Sequence, residues 1–123
     1  MKILVVDDEQ DMQTLFQQKF RKEIREGVVA FAFATSGEQA LRYLNENDHE
    51  AVLILSDINM PGMSGLELLD QIKHKYFTPP PVVMMITAYG DAENYRQAMQ
   101  MGADDFLTKP VDFNLLKEKL KIS

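Results

Sequence analysis

Short apolar runs alternate with helical patterns along the whole chain, and four of the runs end in a reactive polar residue. Lys2 to Val6 leads into Asp7 and Asp8, and Ala51 to Ser56 leads into Asp57. Val82 to Ile86 leads into Thr87, and Asp104 to Thr108 leads into Lys109 and Pro110. Val28 to Ala34 reads as a further strand. The runs are nearly continuous in apolar residues, as strands are when helices cover both sheet faces. Between them, Met12, Leu15, Phe16, Phe20 and Ile24 recur at helical spacing, and Gly27 is placed to end that helix. Ser36 with Gln39, and Ser64 with Glu67, have the spacing of capping boxes. The helices they open carry Ala40, Leu41 and Leu44, and then Leu66, Leu69 and Ile72. Two more helical stretches run roughly from Ala92 to Met101 and from Phe113 to Leu120, the latter capped by Asp112. Five βα units of this kind predict an α/β fold around a parallel sheet.

No compositional shift marks a domain boundary, so residues 1–123 read as one domain with one core. Thr78 to Pro81, with three prolines, reads as a rigid connector rather than a linker. No apolar run approaches the ~18 residues that span a bilayer. Met1 passes straight into a strand, unlike a signal peptide. The absence of cysteine excludes disulfides and thiolate metal sites and fits a reducing, cytoplasmic setting. The net charge of −6 argues against direct nucleic-acid binding by this domain, and no membrane partner is expected.

Ligands of open parallel sheets sit beyond the carboxyl ends of the strands, so the polar residues at four strand ends point to one site. Asp7, Asp8 and Asp57 would bring three negative charges together, which disfavours ionisation unless something neutralises them. A hard divalent cation does so, and Mg²⁺ suits one or two carboxylates with water and phosphate oxygens. Lys109 supplies a compact positive charge and Thr87 a hydroxyl donor. Together they form a clamp for phosphoryl oxygens, which leaves Asp57 as the carboxylate nucleophile that forms an acyl phosphate. Each residue alone reads as solvated loop; the set of five carries the argument.

The segments ILVVDDE, LILSDINMPGMSGLELL, VVMMITAYGD and GADDFLTKP resemble the receiver domain of bacterial two-component response regulators, over essentially the whole chain. The resemblance implies a flavodoxin-like (βα)₅ fold with sheet order 2-1-3-4-5. It implies Asp57 as phosphoryl acceptor, with Asp8, Asp57 and the backbone carbonyl of Asn59 as direct Mg²⁺ ligands and Asp7 acting through water. Mn²⁺ is expected to substitute for Mg²⁺. Thr87 and Lys109 resemble the pair that holds the phosphoryl oxygens in the active state, and the Lys109–Pro110 bond is expected to be cis.

The resemblance further implies a signalling switch rather than a turnover enzyme. A histidine kinase or phosphotransfer protein would donate the phosphoryl group. Thr87 and an inward-turning aromatic at Phe106 would then reshape the face of the fourth helix, fifth strand and fifth helix for an effector domain or protein. Receivers dimerise through that face in some cases and not in others. Phe106 stands where the family more often has Tyr, so it either switches by packing alone or is static core. Val111 replaces a frequent Phe. Ala88 keeps the route to Asp57 open, and Asn59 and Tyr89 flank the phosphoryl position, where the bulk of Tyr89 is expected to shield the acyl phosphate.

His49 and His74 lack a matching carboxylate at metal-ligand spacing and read as solvated. The methionines read as core, while Tyr95 divides evenly between core and partner surface. Two competing functions remain weaker. A phosphorylation-independent pseudo-receiver would have lost one of the acidic or lysine positions. An aspartyl-phosphate phosphatase, a flavin carrier or a P-loop protein would need an Asp-x-Asp or a Gly-rich phosphate loop that this chain lacks. A first strand at Met1 favours an N-terminal position, with room for an effector domain after Ser123.

Overall fold

The computed structural model describes residues 1–47, 53–76, 81–88 and 91–121, with the backbone alone at 75–76. Five parallel strands form one sheet: β1 (Lys2–Val6), β2 (Ala30–Ala34), β3 (Leu53–Asp57), β4 (Val82–Thr87) and β5 (Asp105–Thr108). Their order is β2-β1-β3-β4-β5, the flavodoxin-like arrangement that the family resemblance implies. The order reverses direction between β1 and β3, where Val6 pairs with Ser56, so Asp7 and Asp57 leave adjacent strands at the same sheet edge. This is the topological switch point at which such sheets bind ligands.

Six α-helices cover the two faces: α1 (Asp11–Lys19), α2 (Arg21–Arg25), α3 (Gly37–Glu46), α4 (Gly65–Gln71), α5 (Ala92–Gln100) and α6 (Phe113–Lys119). Strand residues alternate between two cores, as the period of two requires. Leu4, Val6, Ile54, Val83 and Met85 pack with Leu44, Leu68, Leu69 and Ala98 on one side. Ile3, Val5, Leu55, Met84 and Ile86 pack with Phe16, Phe20 and Leu116 on the other. The three inner strands β1, β3 and β4 are buried almost throughout, apart from the exposed Val82, while the edge strands β2 and β5 are only partly buried. Among the described residues, no helix is long and apolar enough to cross a membrane.

Side-chain caps fix the starts of α3, α4 and α6. The Gln39 amide donates to Ser36 Oγ (3.1 Å), the Glu67 amide to Ser64 Oγ (3.2 Å), and the Asn114 and Leu115 amides to Asp112 Oδ1 (3.0 and 3.1 Å). In the first of these the return bond shifts by one residue, since Gln39 Oε1 accepts from the Thr35 amide (2.8 Å).

Three boundaries differ from the periodicity. The first helical stretch breaks at Phe20 (φ −109°), where the chain turns into α2 while the buried Phe16 and Phe20 rings stay stacked on one face. The second strand starts at Ala30 rather than Val28. The Val28 and Val29 amides turn back to the Glu23 carbonyl (2.9 and 3.4 Å), so these residues finish α2 around Gly27 (φ +74°) instead of entering the sheet. The fourth helix of the sequence reading is α5, and its third continues past Gln71 as a π-helical turn, Ile72–Tyr76. That turn docks through Lys73, whose ammonium reaches the Pro81 carbonyl (2.9 Å) and Asp104 Oδ2 (2.6 Å). His74 is exposed and its Nε2 meets the Met101 carbonyl (3.1 Å). Thr78 and the prolines at 79 and 80, with His49, lie outside the described residues.

Candidate functional site

The carboxyl ends of β1, β3 and β4, and the loop after β5, bring the predicted residues to one edge of the sheet. Carboxylate oxygens of Asp7, Asp8 and Asp57 all lie within 4.8 Å of one another. Asp7 and Asp57 are buried, at 4% exposure each, while Asp8 is open to solvent. Lys109 reaches in from the β5–α6 loop and donates to Asp57 Oδ2 at 2.9 Å. Its ammonium stands 3.8 Å from Asp7 Oδ2 and 3.9 Å from Glu9 Oε1. The Lys109 amide donates to the Thr87 carbonyl (2.8 Å), which ties this loop to the end of β4, and the Lys109–Pro110 peptide is cis.

Three buried side-chain oxygens have no hydrogen-bond partner among the described residues: Gln71 Oε1, at the end of α4, and two that belong to these strand ends, Asp7 Oδ2 and Thr87 Oγ1. Buried polar atoms are rarely left this way, so their orphaning at a strand-end crevice marks a place built for a further group. Asp7 Oδ1, by contrast, is fixed by the Glu9 amide at 2.9 Å. Burial pushes the Asp7 carboxyl up from its ordinary value, and the Asp57 and Glu9 charges push the same way. The Glu9 amide and Lys109 oppose this without cancelling it. Lys109 is moved up as well. Burial pulls it down, but its hydrogen bond to Asp57 and the charges of Asp57, Asp7 and Glu9 outweigh that.

Three carboxylates facing one ammonium leave the cluster negative. An all-oxygen donor set with an unpartnered buried carboxylate oxygen fits a hard divalent cation such as Mg²⁺. The Thr87 hydroxyl, without a partner among the described residues, and the Lys109 ammonium, already on Asp57, would then be placed to donate to an anion bound beside that carboxylate.

Asn59 and Ala88 are both exposed at the rim, beside the strand ends that carry Asp57 and Thr87. Tyr89 lies outside the described residues. Phe106 is half-buried, and its ring lies 4.3 Å from that of Tyr95 on α5, at an interplanar angle of 41°. Tyr95 and Met99 are themselves exposed, at 48% and 46%, so the outer face of α5 carries apolar surface, whereas Met84 and Met85 are core.

Three site-shaping residues escape the strand-end reading. Gly65 opens α4, and a Cβ there would stand 2.0 Å from the Asp57 carbonyl oxygen and 2.6 Å from Ile58 Cα. Its amide donates to the Ile58 carbonyl (2.7 Å) and closes the loop that follows Asp57. Glu9 lends its amide to Asp7, a role its position directly after the two aspartates could have suggested. Glu38 accepts from the Met63 amide (3.0 Å) across 25 residues of sequence, and no local pattern announces it.

The model of the family described as "Response regulator receiver domain" matches residues 3–121. A chemotaxis protein CheY homolog of Campylobacter jejuni is 34% identical over 122 residues, 98% of this chain and 90% of that protein. Response regulator RppA of Synechocystis is 36% identical over 110 residues, 89% of this chain but 44% of that protein. Six curated relatives, RppA among them, are spanned over only 15% to 44% of their length. A solved receiver domain protein from Clostridium thermocellum superposes with a TM-score of 0.84 at 31% identity, over 98% of this chain and 90% of that one.

Proposed function

The chain belongs to the response regulator receiver domain family of two-component signalling, and on that premise we propose that residues 1–123 are a switch controlled by phosphorylation of Asp57. The observation that carries this reading is the Lys109 ammonium 2.9 Å from the buried Asp57 carboxylate, beside the buried Asp7 Oδ2 and Thr87 Oγ1, which have no partner among the described residues. A histidine kinase or phosphotransfer protein presents a phosphoimidazole. An Asp57 oxygen attacks phosphorus, the P–O bond forms as the P–N bond breaks, and the imidazole nitrogen leaves with its electron pair and takes up a proton. Asp8, Asp57 and the Asn59 carbonyl would hold Mg²⁺ directly, with Asp7 acting through water. When bound, the ion supplies charge neutralisation at the phosphoryl oxygens. Lys109 and Thr87 supply the remaining ammonium and hydroxyl donors. Water later hydrolyses the acyl phosphate slowly, so the domain turns over no small-molecule substrate.

The output is proposed to leave through α5, β5 and α6 toward an effector domain or protein in the cytoplasm. Acetyl phosphate or a beryllium fluoride salt with Mg²⁺ tests the site. Wild type is expected to gain one adduct, and both Asp57→Asn and chelation of Mg²⁺ are expected to abolish it. An Asp57→Asn protein that takes up the same adduct would refute the assignment.

A further inference from the structure

We infer that Glu38, on the helix across the crevice from Asp57, is a positioning residue for the divalent-cation site. This rests on the metal reading proposed above. The loop that carries Asn59 leaves β3 at Ile58 and returns at Gly65, where the Gly65 amide pins its base to the Ile58 carbonyl at 2.7 Å. The base alone does not fix the outer part, residues 59–63. That part is gripped by the first turn of α3 at three adjoining points. Glu38 Oε1 accepts from the Met63 amide at 3.0 Å. Glu38 Oε2 occupies the space beside Gly62, 3.2 Å from where a Cβ would stand, and Gly62 has φ +73°. The Met63 side chain fills the space a Cβ on Gly37 would need, with Cγ and Sδ each 2.9 Å from it.

The two segments therefore interlock, glycine against side chain in both directions. The Glu38 carboxylate is the polar fastener of that lock. Its charge also sits in the first turn of α3, where the helix dipole favours it. Asn59 lies between the pinned base and the fastener, so the direction of its carbonyl depends on both. A water could satisfy the Met63 amide in place of Glu38, but it would leave the loop free to shift. Groups that orient a ligand in this way commonly carry about tenfold or more of metal affinity.

The test is a Mg²⁺ titration followed at the amide resonances of Asp57 and Asn59, with thermal stability recorded in EDTA. Glu38→Ala is expected to weaken Mg²⁺ by about tenfold. Glu38→Gln keeps an acceptor of the same length and is expected to stay within about twofold of wild type. Glu38→Asp keeps the charge at the helix start but withdraws the acceptor by one methylene. It is expected to behave like Glu38→Ala, and it serves if the alanine variant fails to fold. Wild-type affinity in Glu38→Ala or Glu38→Asp overturns the inference, as does a Glu38→Gln protein as weak as the alanine variant. Absence of any Mg²⁺ response at Asp57 in wild type overturns the metal reading itself, and is distinguishable from both.

Discussion

Asp7 is held at the switch point at a cost to the fold. Its carboxyl is pushed up because burial penalises the charge and Asp57 and Glu9 repel it, while one oxygen lacks a hydrogen bond. Between the ordinary value of 3.8 and the raised native value, the folded state binds more protons than the unfolded chain. Stability therefore falls as pH rises through that window, and ionised Asp7 is a liability at neutral pH. Asp7→Asn removes the charge and keeps the shape. In EDTA at pH 7 its melting temperature is expected to exceed that of wild type, while its Mg²⁺ affinity falls about tenfold. A melting temperature below that of wild type would show that the attraction to Lys109 outweighs burial. The trade is expected of a residue kept for a ligand rather than for packing.

At the scale of elements, close approach between backbones sets the site more firmly than any side chain. Gly65 lets α4 start against the Asp57 carbonyl, with only 2.0 Å left for a Cβ. The obstructing atoms are backbone and cannot rotate away, so Gly65→Ala is expected near the upper end of the ~1–3 kcal/mol typical of overpacking. Urea unfolding measures that loss. A second junction joins α2 to α6 through Glu23 Oε2 and Lys117 Nζ at 3.0 Å, with the ammonium 5.1 Å from the centroid of the Phe20 ring. The Lys117 hydrogen bond holds the Glu23 carboxyl below its ordinary 4.5 against the opposing effect of burial. The stability this supplies is present above pH 4.5 and is lost as pH falls through the lowered native value. Glu23→Gln is expected to cost about 1–2 kcal/mol at pH 7 and less in acid. An equal cost at both pH values would mean that packing, not charge, makes the contact.

These junctions also explain what could be read from the chain alone. Asp57, Thr87 and Lys109 were legible because continuous apolar runs locate strand ends, and the parallel order then brings the ends together. Ser36, Ser64 and Asp112 were legible because capping is a local matter. Gly65 and Glu38 were not, since their roles depend on segments that meet only after folding. The break at Phe20 was hidden because Phe16 and Phe20 keep helical spacing across it. Val28 and Val29 looked like strand, but their amides are claimed by Glu23.

For the whole molecule, the proposed function poses the question of how a modification of the Asp57 carboxylate on β3 would alter the far side of β5. Phosphorylation can shift a conformational equilibrium only by the difference in how strongly its phosphoryl group is held in the two states. On that proposal Thr87 Oγ1 is the donor with most to gain, since it is buried and has no hydrogen-bond partner among the described residues. Its strand pairs directly with β5, Met85 opposite Phe106 and Thr87 opposite Thr108, so movement at Thr87 bears on the strand that carries Phe106. Phe106 has no hydroxyl to anchor it, and its one aromatic partner among the described residues is the exposed Tyr95 ring at 4.3 Å. A shift of Phe106 must then uncover or re-seat Tyr95, which couples the site to the outer face of α5 by packing alone. Beryllium fluoride with Mg²⁺ is expected to change the ring resonances of both Phe106 and Tyr95. In Thr87→Ala the adduct at Asp57 is expected to form while those ring shifts shrink severalfold, because the donor that distinguishes the two states is gone. Ring shifts of wild-type size in Thr87→Ala would place the coupling elsewhere. Unchanged rings in the wild-type adduct would make Phe106 static core and leave the backbone of the β5–α6 loop, through the Lys109 amide and the Thr87 carbonyl, as the route to α6.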